Sequence, residues 1–126
     1  MVKTVVATNK APGAIGPYSQ GIMANGFVFV SGQLGLVPET GEFAAGGVAG
    51  QTRQSLTNVK RILEAAGSGL ENVVKVTVFL KDIKDFAAMN AVYSDFFKED
   101  YPARSAVQAA ALPKDGLVEI EVIAET

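Results

Sequence analysis

The sequence predicts a single α+β domain, a mixed β-sheet with two helices packed on one face. A chain of 126 residues suits one domain, 1–126, with a core of its own, and is short for two. Extended segments closed by hairpin signals lie near both ends, while an apolar period of three and four takes over in two central segments. Gly and Pro fall singly between these segments, with no internal repeat or low-complexity tract.

A starter strand is expected at Val2–Val6. Tyr18–Ala24 and Phe27–Ser31 read as a hairpin closed by Asn25-Gly26, because the favoured two-residue turn needs positive φ at both central positions. A further extended stretch, Leu34–Val37, runs into the turn Pro38-Glu39-Thr40-Gly41, where Pro presets φ and Gly supplies the permissive backbone. From Val48 the stripe Val48, Thr52, Leu56, Val59, Ile62, Leu63 and Ala66 defines an amphipathic helix, with Arg53, Lys60, Arg61 and Glu64 elsewhere on the wheel. Gly67-Ser68-Gly69 follows this helix instead of opening one, so it reads as a C-cap turn and not a phosphate loop.

Val73–Leu80, rich in Val and Thr, is expected to be a buried strand. Asp82 is placed to cap a second helix that runs to about Lys98, with Phe86, Met89, Asn90, Tyr93 and Phe97 along its stripe. Beyond Pro102, Ser105–Leu112 and Leu117–Ala124 are expected to form a terminal hairpin across Pro113-Lys114-Asp115-Gly116. With both helices on one sheet face, nothing in the chain covers the other, and a homo-oligomer packed through the open faces is expected.

Cys and His are both absent. Disulfides, thiol nucleophiles, Ser-His-Asp and Cys-His pairs and Cys/His zinc sites are thereby excluded. The balance of 11 Lys and Arg against 13 Asp and Glu gives a net charge of −2, so no global field draws nucleic acid. The densest basic step, Lys60-Arg61, falls on the solvated face of a helix. MVKTVVATNK has neither the apolar stretch nor the cleavage site of a signal peptide, and no apolar run reaches the roughly 18 residues of a membrane helix. A cytoplasmic protein is expected.

Without His, proton transfer near neutral pH falls to a carboxylate, Lys, Tyr or a positioned water. Glu119 and Glu121 alternate with Val118, Ile120 and Val122, so both carboxylates share a strand face, either as solvated charges or as acid-base groups. Arg104 precedes a run of small residues, Ala106 and Ala109–Ala111, that lets another chain approach. It suits bidentate capture of a carboxylate, or a structural ion pair. Asn90, on an apolar stripe, is a structural clamp or a ligand contact. Gly16-Pro17-Tyr18-Ser19-Gln20 and Ser31-Gly32-Gln33 meet at one end of the first hairpin, as turn residues or as hydroxyls and an open Gly32 N–H facing a ligand. If Leu112 pairs with Leu117, Arg104 and Glu119 share a sheet face but stand on the order of 20 Å apart, so joint action needs a site shared between chains.

The segments GPYSQ, VFVSGQLG, PETG, QTRQSLTNVKRILEAAG, VVKVTVFLKDI, MNAVYSDFF, PARSAV and LPKDGLVEIEVIA, in this order and spacing, resemble the RidA/YjgF family over nearly the whole chain. The resemblance implies a chorismate-mutase-like α+β fold, a homotrimer with clefts between subunits, and no metal or cofactor. It implies hydrolytic deamination of 2-aminoacrylate, 2-aminocrotonate or their imines, 2-iminopropanoate and 2-iminobutanoate, to 2-oxo acids and ammonia. Carried over by position, Arg104 matches the family's carboxylate-binding Arg and Glu119 its water-positioning Glu. Tyr18, Ser31 and Asn90 match its Tyr, Ser and Asn contacts, with the Gly32 backbone beside them. Ala106 stands where the family often has Cys, so only its backbone can contribute. Two other functions are compatible with the sequence: a small-carboxylate binding module, in which Arg104 matters and Glu119 does not, and an RNA-cleaving translation inhibitor, which the acidic balance and absent His disfavour.

Overall fold

A computed structural model describes residues 2–126. The strands are β1 (Thr4–Val6), β2 (Gly21–Ala24), β3 (Phe27–Leu34), β4 (Val73–Leu80), β5 (Ala103–Gln108) and β6 (Val118–Glu125), and the helices are α1 (Gly47–Ala65) and α2 (Phe86–Phe96). They build one six-stranded sheet in the order β1-β2-β3-β6-β4-β5. The α+β class and the single-face packing of both helices agree with the sequence. Val28 and Val30 of β3, Val76 and Val78 of β4, and Ile120 and Val122 of β6 meet Leu56, Val59, Ile62 and Leu63 of α1 and Met89 and Tyr93 of α2 in one core.

The Asn25-Gly26 hairpin forms as expected, with Asn25 at φ 54° and Gly26 at φ 81°, and pairs Gly21–Ala24 with Phe27–Val30. Gly67, at φ 78°, ends α1 in a Schellman motif: Gly67 N–H donates to the Glu64 carbonyl and Ser68 N–H to that of Leu63. That satisfies the helix end locally and leaves no cradle for phosphate. Asp82 does not cap α2 itself. Its Oδ1 accepts from Lys84 N–H at 2.9 Å and heads a short 3₁₀ turn, Ile83–Asp85, that leads into α2.

The terminal hairpin is where the structure departs from expectation. β5 and β6 do not pair; β4 lies between them, parallel to β5 and antiparallel to β6. The physical reason is the crossover β4-α2-β5, a strand-helix-strand unit whose helix returns the chain to a parallel neighbour. The segment 109–117, with Lys114 at φ 56° and Asp115 at φ 61°, then spans β4 to reach β6.

This order reverses the expected relation of Arg104 and Glu119. Arg104 registers with Val76, which registers with Val122, all on the helix side; Glu119 registers with Phe79, three residues further along β4 and so on the opposite face. The two residues are separated by about 14 Å of sheet and by the sheet itself. They do not share a face.

The face away from the helices carries Glu119 and Glu121 together with exposed Val5, Phe27, Phe29 and Val107. Phe27 and Phe29 adjoin there, their ring centroids 6.4 Å apart. No helix among the described residues is long and apolar enough to cross a membrane.

Candidate active site

A bulge in β3 starts the site. Val30 pairs with Val122 and Gln33 with Ile120, so Ser31 and Gly32 together oppose the single residue Glu121. Such an insertion breaks the ladder and re-aims the chain. Here it brings the Gly32 backbone under the Glu119 side chain: a Cβ on Gly32 would lie 2.9 Å from both Cδ and Oε2 of Glu119. Only a residue without a side chain lets the carboxylate settle there.

Buried polar residues of α1 hold the strand segment that follows the bulge. Ser55 Oγ donates to the Gln33 carbonyl at 2.7 Å, and Asn58 Nδ2 to the Leu36 carbonyl at 2.9 Å. Gln51 Oε1 accepts from Leu117 N–H at 2.9 Å, which ties the entry of β6 to the same helix. On the other side, Gln20 fixes the chain before β2. Its amide donates to the carbonyls of Thr8 at 3.0 Å and Pro12 at 2.8 Å, and its Oε1 accepts from Thr8 N–H at 2.7 Å. Ser31 Oγ donates to the Ser19 carbonyl at 2.6 Å.

These anchors enclose a cavity of about 610 Å³ whose walls include Tyr18, Ser31, Gly32, Lys114 and Glu119, with Ile15, Leu36 and Pro38 as apolar lining. Four of the residues singled out in the sequence, Tyr18, Ser31, Gly32 and Glu119, thus converge. Burial raises the Glu119 carboxyl above the ordinary glutamate range, and neighbouring Glu121 adds to the effect. A carboxyl held this way exchanges a proton nearer neutral pH, as a general base requires.

Arg104, Asn90 and Ala106 lie elsewhere. Arg104 Nη1 donates to Asn90 Oδ1 at 2.6 Å, and its guanidinium carbon stands 4.6 Å from the Tyr93 ring centroid and 5.5 Å from that of Phe86. Ala106, two residues on along β5 and on the same face, packs against the core. Burial raises the Tyr93 phenol more than the Arg104 charge lowers it, so the ring stays neutral. One chain therefore places these residues in two groups on opposite sides of its sheet, a cavity holding Glu119 and an arginine held at the outer strand.

Sequence reasoning missed Lys114, which looked like a turn residue, and the aromatic partners of Arg104, which looked like core. Both belong to patterns already noticed, the Pro113–Gly116 turn and the α2 stripe, but only the topology turns the stripe toward Arg104. Gln20, read with its neighbours as a turn or ligand residue, holds the cavity wall instead.

Two predictions arise from this geometry. Gly32→Ala is expected to displace the Glu119 carboxylate and to lower turnover by up to about 10²-fold, since misplacing a catalytic group by about 1 Å has effects of that order. Steady-state kinetics beside a thermal melt check it; unchanged turnover in the folded variant would refute it. The second concerns stability. A carboxyl with a raised folded-state pKa contributes stability below its unfolded pKa and loses it as pH rises through the folded pKa. Glu119→Gln, neutral throughout, is expected to melt above wild type at pH 7, the gain vanishing near pH 4. An equal melting difference at both pH values would contradict this.

The family described as Endoribonuclease L-PSP matches residues 8–126. A RutC family protein of Pyrococcus abyssi is 55% identical over 98% of this chain and 98% of its own. The 2-iminobutanoate/2-iminopropanoate deaminase of Capra hircus is 52% identical, covering 98% of this chain and 90% of that protein. Among solved structures, E. coli TdcF with bound serine superposes with a TM-score of 0.93 at 50% identity, over 98% of each chain. The chain belongs to this family, the RidA/YjgF family that its sequence resembles.

Proposed function

We propose that the protein is a homotrimeric deaminase that hydrolyses 2-imino acids, and their enamine tautomers, to 2-oxo acids and ammonia in sites shared between subunits. The observation that carries this reading is the Glu119 carboxylate, half-buried over Gly32 in a cavity, with its pKa raised by burial. Arg104 on the opposite face of the sheet cannot reach that cavity in its own chain. A neighbouring subunit supplies it, and the open apolar sheet face with Phe27, Phe29 and Val107 is the surface through which subunits meet. The deaminase name of the goat relative and the serine bound to TdcF, a small amino acid, support the same substrate class.

In the mechanism, Arg104 takes the substrate carboxylate in charge-assisted hydrogen bonds and sets the imine carbon in the cavity. Glu119 accepts a proton from a water whose oxygen attacks the carbon of the protonated imine, giving a neutral carbinolamine. The protonated carboxyl then donates to nitrogen, the C–N bond breaks, and the departing ammonia takes the carbinol O–H proton, leaving as ammonium while the 2-oxo acid forms and Glu119 returns to the carboxylate. Ser31, Tyr18 and the Gly32 backbone line the ligand's position, with the backbone of Ala106 beside it. Asn90 acts through Arg104, to which it is bonded, and not as a direct contact. Imines also hydrolyse in water, so a site without a strong nucleophile suffices. The endoribonuclease activity in the family description fits less well: the net charge is −2, and the cavity lining that includes the cation Lys114 also includes Glu119.

The test is 2-oxobutanoate release from 2-iminobutanoate generated in situ by a dehydratase. Acceleration over the buffer rate by the folded trimer is expected. Absence of acceleration would leave a binding module as the function.

A further inference from the structure

We propose that Phe86 and Tyr93 are positioning residues for Arg104, holding its guanidinium between neutral partners so that its full charge remains for a substrate carboxylate. This rests on the deaminase reading of Arg104 and adds what presets it. Residues 86, 90 and 93 are spaced i, i+4, i+7 and so share one face of α2. β5, parallel to β4, turns Arg104 toward that face. The guanidinium carbon lies 4.6 Å from the Tyr93 centroid and 5.5 Å from the Phe86 centroid, within cation–π range, and Asn90 Oδ1 accepts from Nη1 at 2.6 Å.

The chemistry of the partners matters more than their number. Among the described residues no carboxylate stands within 4.0 Å of Arg104, although Arg53 and Arg61 on α1 each have one. A charge withdrawn from water needs partners that compensate it, most directly a carboxylate. Here an amide and two ring faces take that place; they restrict the side chain without cancelling its charge. Tyr93 and Phe97 stack at 4.7 Å, which fixes the Tyr93 ring in turn. The buried Tyr93 hydroxyl meets no partner at full hydrogen-bond geometry among the described residues, yet it lies close enough to Arg104 for the guanidinium to offset part of the rise that burial gives its pKa, so Tyr93→Phe is the variant that separates ring from hydroxyl.

The test compares Tyr93→Leu and Phe86→Leu with the conservative Tyr93→Phe in the full-length protein, all checked by thermal melt. Loss of one ring is expected to raise KM for 2-iminobutanoate, and the inhibition constant of 2-oxobutanoate, about tenfold with kcat within about twofold, and Tyr93→Phe to restore both constants. ¹⁵N NMR of the Arg104 side chain supplies an independent readout: slow guanidinium rotation in wild type and Tyr93→Phe, fast averaging in the Leu variants. Unchanged constants and slow rotation in both folded Leu variants would overturn the proposal. So would a Tyr93→Phe variant as impaired as Tyr93→Leu, which would put the effect on the hydroxyl. A wild type with slow Arg104 rotation that neither hydrolyses the imine nor binds 2-oxobutanoate would overturn the deaminase reading instead. Phe86→Leu keeps the proposal open to refutation if Tyr93→Leu fails to fold.

Discussion

Arg104→Ala lowers kcat/KM for 2-iminobutanoate by a factor on the order of 10² to 10⁴, with the fold retained. Each hydrogen bond to a charged group contributes about 1.5–3 kcal/mol, and a carboxylate takes two of them from a guanidinium, so the loss spans roughly two to four decades at about 1.4 kcal/mol per decade. Most of the loss appears in KM, because the carboxylate is bound alike before and during attack on the neighbouring carbon. The fold survives because Arg104 makes no ion pair among the described residues; its removal frees the half-buried Asn90 amide and the facing Tyr93 and Phe86 rings, which stay packed on α2. Arg104→Lys recovers part of the loss, since an ammonium supplies charge but not the planar fork. Kinetics with a thermal melt check this, and a folded Arg104→Ala variant of normal kcat/KM would remove Arg104 from the mechanism.

Glu119→Gln has its effect on the other kinetic constant. General acid-base catalysis contributes roughly 10²- to 10⁴-fold, and the amide can neither take nor return a proton, so kcat falls on the order of 10²–10³ while KM changes little. The pH profile provides a second signature. With the Glu119 pKa raised by burial, wild-type activity falls on the acid side at a pH above the ordinary glutamate value, as the carboxylate that must accept the proton becomes protonated. The variant lacks that acid limb. A variant that keeps the limb places the titrating base elsewhere.

Local chemistry made much of this fold legible in the sequence. Asn25-Gly26, Pro38–Gly41 and Gly67 each demand a backbone conformation few residues adopt, and α1 shows its period over nineteen residues. Strand neighbours were harder, because Pro113–Gly116 looks like a hairpin turn from within the last two strands. The competing signal, a strand-helix-strand run from Val73 to Gln108, favours a parallel pair and prevails through the packing of α2. That choice decides the site: it turns Arg104 toward α2 and leaves Glu119 on the open face. Tyr18, Ser31, Gly32 and Glu119 were recognisable as residues but not as neighbours, since the β3 bulge that gathers them depends on register with β6. The face of Arg104 and its bond to Asn90 were beyond local patterns altogether, because both depend on which strand lies beside β5.

Division of the site between chains is tested most directly by mixing two inactive parents. Arg104→Ala and Glu119→Gln chains, unfolded together at equal concentration and refolded, are expected to assemble into mixed trimers if the proposed assembly holds. Sites that take Arg104 from one subunit and Glu119 from the next regain both groups in about one quarter of cases under random closed-ring assembly. Activity near a quarter of wild type, against almost none in either parent refolded alone, is the expected result. Activity in the mixture no greater than the mean of the two parents would contradict a site shared between subunits.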